Sequence, residues 1–179
     1  MPYNPPQRET MPKADQGVAA SRGRYHVVPR TLCFITHGDE VLLLKGAPTK
    51  RIWPGRYNGL GGHVERHEDV LSAVVREVRE EAGLDVKDIR LRGVININTD
   101  EEAGILLFIF HAEATSRQTA SSAEGTLVWV PRSQLSALDL VEDLPVLLPR
   151  VLDAPADAPP FFATYSYDAQ DRLVIRFHE

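Results

Sequence analysis

Residues 62–84 read GHVERHEDVLSAVVREVREEAGL, and this stretch decides the fold. Within it Val70, Ala73, Val74, Val78 and Ala82 recur at helical spacing, so residues 69–82 are expected to form an amphipathic helix that Gly83 closes as its C-cap. Glu77 and Glu81 stand four residues apart, hence within roughly 40° of each other around the axis, and Glu80 lies on the other flank of the same face. Three carboxylates so placed repel one another and destabilise a bare helix. A cation among them relieves the repulsion, and clustered carboxylate oxygens suit hard ions, above all Mg²⁺ or Mn²⁺. The competing reading is a solvated acidic face laced with Arg76 and Arg79.

Upstream, Thr31–Thr36 and Glu40–Leu44 read as two strands of a hairpin turning at Gly38 and Asp39. Residues 45–61 are rich in glycine, proline and cations and read as a long loop, a length that usually signals function. Downstream, strands are expected at about 89–98, 104–114 and 126–130, then a short helix over 143–152 with Asp143 as cap and Pro145 in its first turn. The stretch 161–178 alternates around Asp168 to Asp171 as a closing hairpin. The pattern is a mixed sheet with one early and one late helix, without a βαβ series.

The complete spacing of the central stretch decides between its two readings. It fits G-x5-E-x7-R-E-U-x-E-E-x-G-U, with U aliphatic, from Gly62 through Glu68, Arg76, Glu77, Val78, Glu80, Glu81 and Gly83 to Leu84. At average residue frequencies such a match arises by chance on the order of once in 10⁷ chains of this length. The motif is the signature of the Nudix hydrolases, which the chain resembles fully over 62–84 and more loosely in the order of elements from about residue 31 onward. The resemblance implies an α/β (α+β) Nudix fold, a mixed β-sheet sandwiched between helices. It also implies Mg²⁺- or Mn²⁺-dependent hydrolysis of a nucleoside diphosphate linked to another group. On this chain Glu77 and Glu81 are the expected principal metal ligands, with Glu80 completing the set or acting as base, so that Glu77, Glu80 and Arg76 form the catalytic group. Glu68 is similar to the loop glutamate that pairs with the motif arginine, Arg76. Gly61 or Gly62 lets the backbone approach the metal, with the Gly61 carbonyl expected as a ligand and Gly62, Glu68 and Gly83 as structural support. Glu124 resembles a distal metal-binding or base glutamate; its plainer reading is a turn residue. The chemistry needs these groups, because a diphosphate repels hydroxide and leaves poorly without a metal and a base.

The run Gly55–Gly62 looks like the segment that enters the motif in Nudix enzymes acting on oxidised purine triphosphates, where an asparagine at the position of Asn58 bonds the base. Glu142 and Asp143 are similar to two carboxylates that read the purine edge there. Asn58 reads equally as a loop residue bonding its own backbone, and Asp143 as a helix cap. Lys45, ending the second strand, is a candidate for the substrate phosphates. Two features depart from those relatives: Val94–Asn98 carries no aromatic, and Leu140 and Val141 stand where a tryptophan is usual. The first expectation is a nucleoside triphosphate cut to monophosphate and pyrophosphate, with oxidised purines favoured. The alternatives are another nucleoside diphosphate derivative, such as a nucleotide sugar or ADP-ribose, and a non-catalytic nucleotide-binding regulator. The marks of ADP-ribose and diadenosine polyphosphate enzymes, a proline and a tyrosine shortly after the motif, are missing from Asn98–Glu102.

The 179 residues suit one domain, and 43% hydrophobic with 25% charged residues excludes a wholly disordered or fibrous chain. Residues 1–23 are proline-rich and poor in large apolar groups, so they are expected to form a flexible arm preceding a domain over 24–179. Use of that arm as a strap between subunits is a further possibility. A net charge of −5 argues against a nucleic-acid coat. Cys33 is the single cysteine, so an internal disulfide is impossible and a reducing compartment is expected. No apolar run approaches membrane-spanning length and the N-terminus lacks a signal-peptide core. The expectation is a cytoplasmic monomer or homodimer whose partner is its nucleotide substrate, with no nucleic acid and no membrane.

Overall fold

The computed structural model describes residues 23–120, 122 and 124–178. The expected arm, apart from residue 23, lies outside the described residues. Eight strands, β1 (His26–His37), β2 (Glu40–Gly46), β3 (Tyr57–Asn58), β4 (Val86–Ile97), β5 (Ala103–Ala114), β6 (Gly125–Pro131), β7 (Phe161–Tyr167) and β8 (Leu173–His178), form one mixed sheet. Its order is β3-β2-β1-β5-β4-β7-β8, with β6 on the other edge of β2. β1 runs parallel to β5 and β4 parallel to β7, and the remaining pairs are antiparallel. Helix α1 (Val70–Ala82) covers one face and α2 (Leu144–Leu152) the other.

Alternation along β1 explains the sandwich. Cys33 and Ile35 join Val74, Val78 and Ala82 of α1 in one core cluster, whereas Leu32 and Phe34 join Leu144, Leu147 and Val151 of α2 in the other. A strand buried on both faces reads as a continuous apolar run, which is why residues 31–36 stand out in the sequence. Cys33 is fully enclosed and its thiol is pushed up to about 12 by burial, so it is an inert core group. Trp129 packs at the margin of the α1 cluster and donates its indole N–H to the Arg117 carbonyl at 3.0 Å, in keeping with a packing role. Among the described residues no helix is long and apolar enough to cross a membrane.

Several boundaries differ from expectation, each for a physical reason. β1 starts at His26, well before Thr31, and runs through Pro29. The Pro29 carbonyl accepts from Val64 N–H at 3.1 Å, so the side of the strand that lacks an N–H faces the loop after Gly62 and not β5. The loop over 45–61 contains β3, which pairs with Leu44 and Lys45. β4 starts at Val86 and accommodates two register shifts, one of them at Asp88, whose φ is +51°. A 3₁₀ segment, Arg132–Ala137, precedes α2 and has no counterpart in the sequence reading. Asp143 does stand at the head of α2, but its side chain makes no capping bond, so the helix-cap reading of that residue fails.

Candidate active site

The site is built by folding the loop before α1 back onto β1. Thr31 N–H donates to the Gly62 carbonyl at 2.8 Å, and Leu60 and Cys33 exchange backbone bonds in both directions. Two glycines make this closeness possible. Gly61 has φ +151°, and a Cβ there would lie 2.2 Å from the Thr31 carbonyl oxygen. A Cβ on Gly62 would lie 2.4 Å from Glu77 Oε1. Because Thr31 takes the Gly62 carbonyl, the Gly61 carbonyl is the one of the pair not spent in that bond. Asp69 caps α1, accepting from Leu71 and Ser72 N–H at 2.9 and 3.0 Å, and Gly83 closes it with φ +66°.

Arg76 organises the glutamates. Its Nε and Nη2 donate to the two Glu68 oxygens at 3.1 and 2.7 Å, Nη2 also reaches the His63 carbonyl, and Nη1 donates to Glu77 at 2.9 Å and Glu80 at 3.1 Å. All five guanidinium donors are thereby engaged. The hydrogen bonds it donates to Glu68, then to Glu77 and Glu80, hold the guanidinium firmly charged, and Arg76 holds the Glu68 carboxyl below its ordinary range. The expected Glu68–Arg76 pair is therefore present, but it is part of a hub that also grips two of the motif carboxylates.

Glu81 is set apart from that hub. It is 8% exposed, and its Oε2 accepts from Gly61 N–H at 2.8 Å. Burial is the main reason its carboxyl is pushed up to about 7, and the negative charges of Glu124 and Glu77 push the same way. Its folded value exceeds the unfolded value of 4.5, so the stability this group contributes is full below about 4.5 and is lost as pH rises through about 7. In chelator, thermal melts from pH 5 to pH 8 are expected to show stability falling by an increment of up to about 3 kcal/mol. Mg²⁺ restores it at pH 8, and Glu81→Gln abolishes the difference. Parallel pH curves for wild type and variant would contradict this account.

A cavity of about 680 Å³ opens beside Glu81. It gathers Gly61, Gly62, Glu81 and Glu124 of the expected metal set with Asn58, Glu142 and Asp143 of the expected substrate set. Asn58 Oδ1 also accepts from Gly59 N–H at 2.8 Å, so the loop reading holds as well. Glu142 meets Arg56 at 3.3 Å, and Glu124 meets Lys50 at 2.6 Å. Glu77 and Glu80 do not line the cavity, nor does Lys45. The Lys45 side chain is exposed, its ammonium 5.4 Å from the Tyr57 ring centre, because Leu44 and Gly46 point the other way along β2. Lys50 takes the position in the lining that was expected of Lys45.

Sequence reasoning missed Lys50, Arg51 and Arg56 as individuals and Tyr165 and Tyr167 altogether, and it gives Trp53 no role beyond a scattered aromatic, though all line the cavity. The strand over 94–98 offers aliphatic Ile97 there, as its composition requires, so aromatic surface comes instead from the loop and from β7. The period-two pattern Ala163, Tyr165, Tyr167 was the available signal.

Among the described residues no three His, Cys, Asp or Glu side chains are already gathered at metal-binding distance, since Arg76 draws Glu77 and Glu80 to itself. The donor chemistry nonetheless fits a hard divalent cation. Glu81 is a buried carboxylate pressed by the charges of Glu124 and Glu77, relieved in part by Lys50, and among the described residues its hydrogen bond comes from the Gly61 N–H, so its oxygens suit a hard cation.

Comparison with known proteins agrees with this geometry. A family model described as NUDIX domain matches residues 26–151. The chain is 36% identical over 117 residues to the NAD-capped RNA hydrolase NudC of Pseudomonas aeruginosa, covering 65% of this chain and 38% of that protein. It is 33% identical over 104 residues to the uncharacterized Nudix hydrolase YvcI of Bacillus subtilis, covering 55% of this chain and 63% of that protein. The chain thus spans under two-fifths of the length of the NudC relative. The crystal structure of a MutT protein from Bacillus halodurans shares the fold at a TM-score of 0.69 and 23% identity, covering 84% of this chain and 97% of that one. The matched region takes in β1 to β6 and nearly all of α2, and by that match the chain belongs to the Nudix family.

Proposed function

We propose that the protein hydrolyses a phosphoric anhydride of a nucleotide, and that its substrate is a nucleoside triphosphate cut to monophosphate and pyrophosphate, with oxidised purines favoured. The observation that carries this reading is the single cavity that has Glu81 and Glu124 in its wall together with Asn58, Glu142, Asp143 and Tyr165. Its volume suits one nucleotide-sized ligand.

Glu81, Glu77, Glu80 and the Gly61 carbonyl would hold the divalent cation, with Glu124 as a further donor. When bound, that cation supplies charge neutralisation at the phosphate oxygens and acidification of a water. Lys50, Arg51 and Arg56 add positive charge along the cavity wall, where the phosphate chain runs. A glutamate of the set takes the proton of the attacking water, a contribution of about 10² to 10⁴ in rate. Glu80, on the exposed side of Arg76, and Glu81, whose carboxyl is poised near neutrality, are the two candidates. Arg76 is a positioning residue in this scheme, since its five donors are spent on Glu68, Glu77, Glu80 and the His63 carbonyl.

A second reading keeps the reaction and exchanges the triphosphate for a nucleoside diphosphate joined to another group. The sequence likeness to a relative named for NAD-capped RNA favours it. A panel of ordinary and oxidised nucleoside triphosphates, NADH, ADP-ribose and nucleotide sugars, assayed with Mg²⁺ and resolved by product, separates the two. The first reading expects pyrophosphate and an oxidised purine monophosphate as the fastest products. Oxidised triphosphates turning over no faster than ordinary ones would end the purine preference, and faster cleavage of NADH into two monophosphates would establish the second reading.

A further inference from the structure

Arg30 stands on β1 between Pro29, whose carbonyl accepts from Val64 N–H, and Thr31, whose N–H donates to the Gly62 carbonyl. It is half-buried and lines the cavity, yet its side chain has no hydrogen-bond or ion-pair partner among the described residues, and its Nε is enclosed. The other cations of the wall differ. Lys50 is paired with Glu124 and Arg56 with Asp139 and Glu142, while Arg51 lies on the exposed loop. A guanidinium carries five donors and no acceptor, and taking one out of water without an anion is destabilising. A native fold keeps such a group where something else completes it.

The neighbours on its own face cannot do so. Residues two apart on a strand share a face, so Arg30 lies with Leu32 on the α2 side of the sheet. In register beside it on β5 is Leu107, and Ile105 of β5 and Ile97 of β4 continue the floor of the cavity. All are aliphatic. On its other side Arg30 is bridged to His63, next to the Gly61–Gly62 pair that abuts Glu81 and Glu77. Arg30 therefore marks the border between an aliphatic floor and the carboxylate edge.

We infer that Arg30 grips the phosphoryl group that stays attached to the nucleoside, and so ties a nucleoside on the floor to a phosphate chain at the carboxylate edge. The inference rests on the nucleotide reading above and deepens it. A phosphate offers charged oxygens at the spacing of the guanidinium fork. The border position meets such a substrate where ribose passes to phosphate. A purine edge is the other acceptor pair that a guanidinium takes, and the test separates the two.

Arg30→Met puts an apolar chain beside Leu107 in place of an unpaired cation, so the fold is expected to hold, with a Tm equal to or above that of wild type. Calorimetry of the full chain with MgCl₂ compares GMP and AMP with guanosine and adenosine. Arg30→Met is expected to weaken the tighter monophosphate by about 10- to 100-fold, the size of a charge-assisted contact, and to leave its nucleoside unchanged. Arg30→Lys, which keeps the charge without the fork, recovers part of the loss. On the best substrate of the panel, kcat/KM of Arg30→Met falls by a similar factor. Equal monophosphate affinity in wild type and Arg30→Met would overturn the inference. An equal loss for monophosphate and nucleoside would overturn it too and give Arg30 to the base edge, as would wild type binding neither monophosphate more tightly than its nucleoside. Absence of turnover on every nucleotide would instead strike the hydrolase reading, which these binding measurements do not use.

Discussion

Glu81→Gln is expected to lower kcat/KM by about 10³-fold or more at saturating Mg²⁺ while leaving the fold intact. The carboxamide retains an oxygen for Gly61 N–H, which donates to Glu81 at 2.8 Å, so the loop before α1 stays docked. What the variant loses is the negative charge, and that charge is the group's contribution to holding a cation or accepting a proton. The same change removes a buried carboxyl whose ionisation burial opposes. In chelator at pH 8 the variant is therefore expected to melt above wild type. Inactive and more stable is a signature that general damage to the structure does not produce, and steady-state kinetics beside thermal melts read both halves. A variant that keeps most of its activity would remove Glu81 from the reacting centre.

Arg76→Ala is expected to lower kcat/KM by about 10- to 100-fold, the usual effect of losing a residue that orients metal ligands. It is also expected to lower Tm, because Glu68 and Glu77, at 16% and 15% side-chain exposure, lose their shared cation. Arg76→Lys restores little, since an ammonium cannot serve three carboxylates and the His63 carbonyl in the fork geometry of a guanidinium. Part of the lost stability returns with Mn²⁺, which replaces positive charge near Glu77 and Glu80. If Arg76→Ala shifts kcat far more than this while Mn²⁺ binding is unchanged, the residue touches substrate and is more than a support.

The elements that the sequence announces are those whose signals are local. Helix α1 carries its stripe, its cap and its terminating Gly83 within residues 69–83, and it forms as read. The β1–β2 hairpin is likewise local, with Gly38 at φ +59° in its turn. The start of β1 was hidden because Pro29 breaks a strand pattern unless one knows which edge faces the loop, and that depends on Val64. Long-range placement was equally hidden at the cavity. Lys45 and Lys50 are chemically equivalent in the sequence, and only the pairing of β2 sends the first outward and leaves the second in the wall. Tyr165 looks like an ordinary strand residue until the fold brings β7 and the head of α2 to one cavity, where Tyr165 and Asp143 both stand in the wall. The motif glutamates were legible as a group, but their division was not. Arg76 was expected to hold Glu68, and in addition it holds Glu77 and Glu80 while Glu81 turns to Gly61.

The most direct test is a calorimetric titration of the chelator-treated protein with MnCl₂ at pH 7.5, run on wild type and on Glu81→Gln. A carboxylate group that exists to hold a divalent cation beside a nucleotide predicts saturable uptake by wild type and uptake weakened at least about tenfold in the variant. Equal isotherms for the two proteins, or none for either, would contradict it.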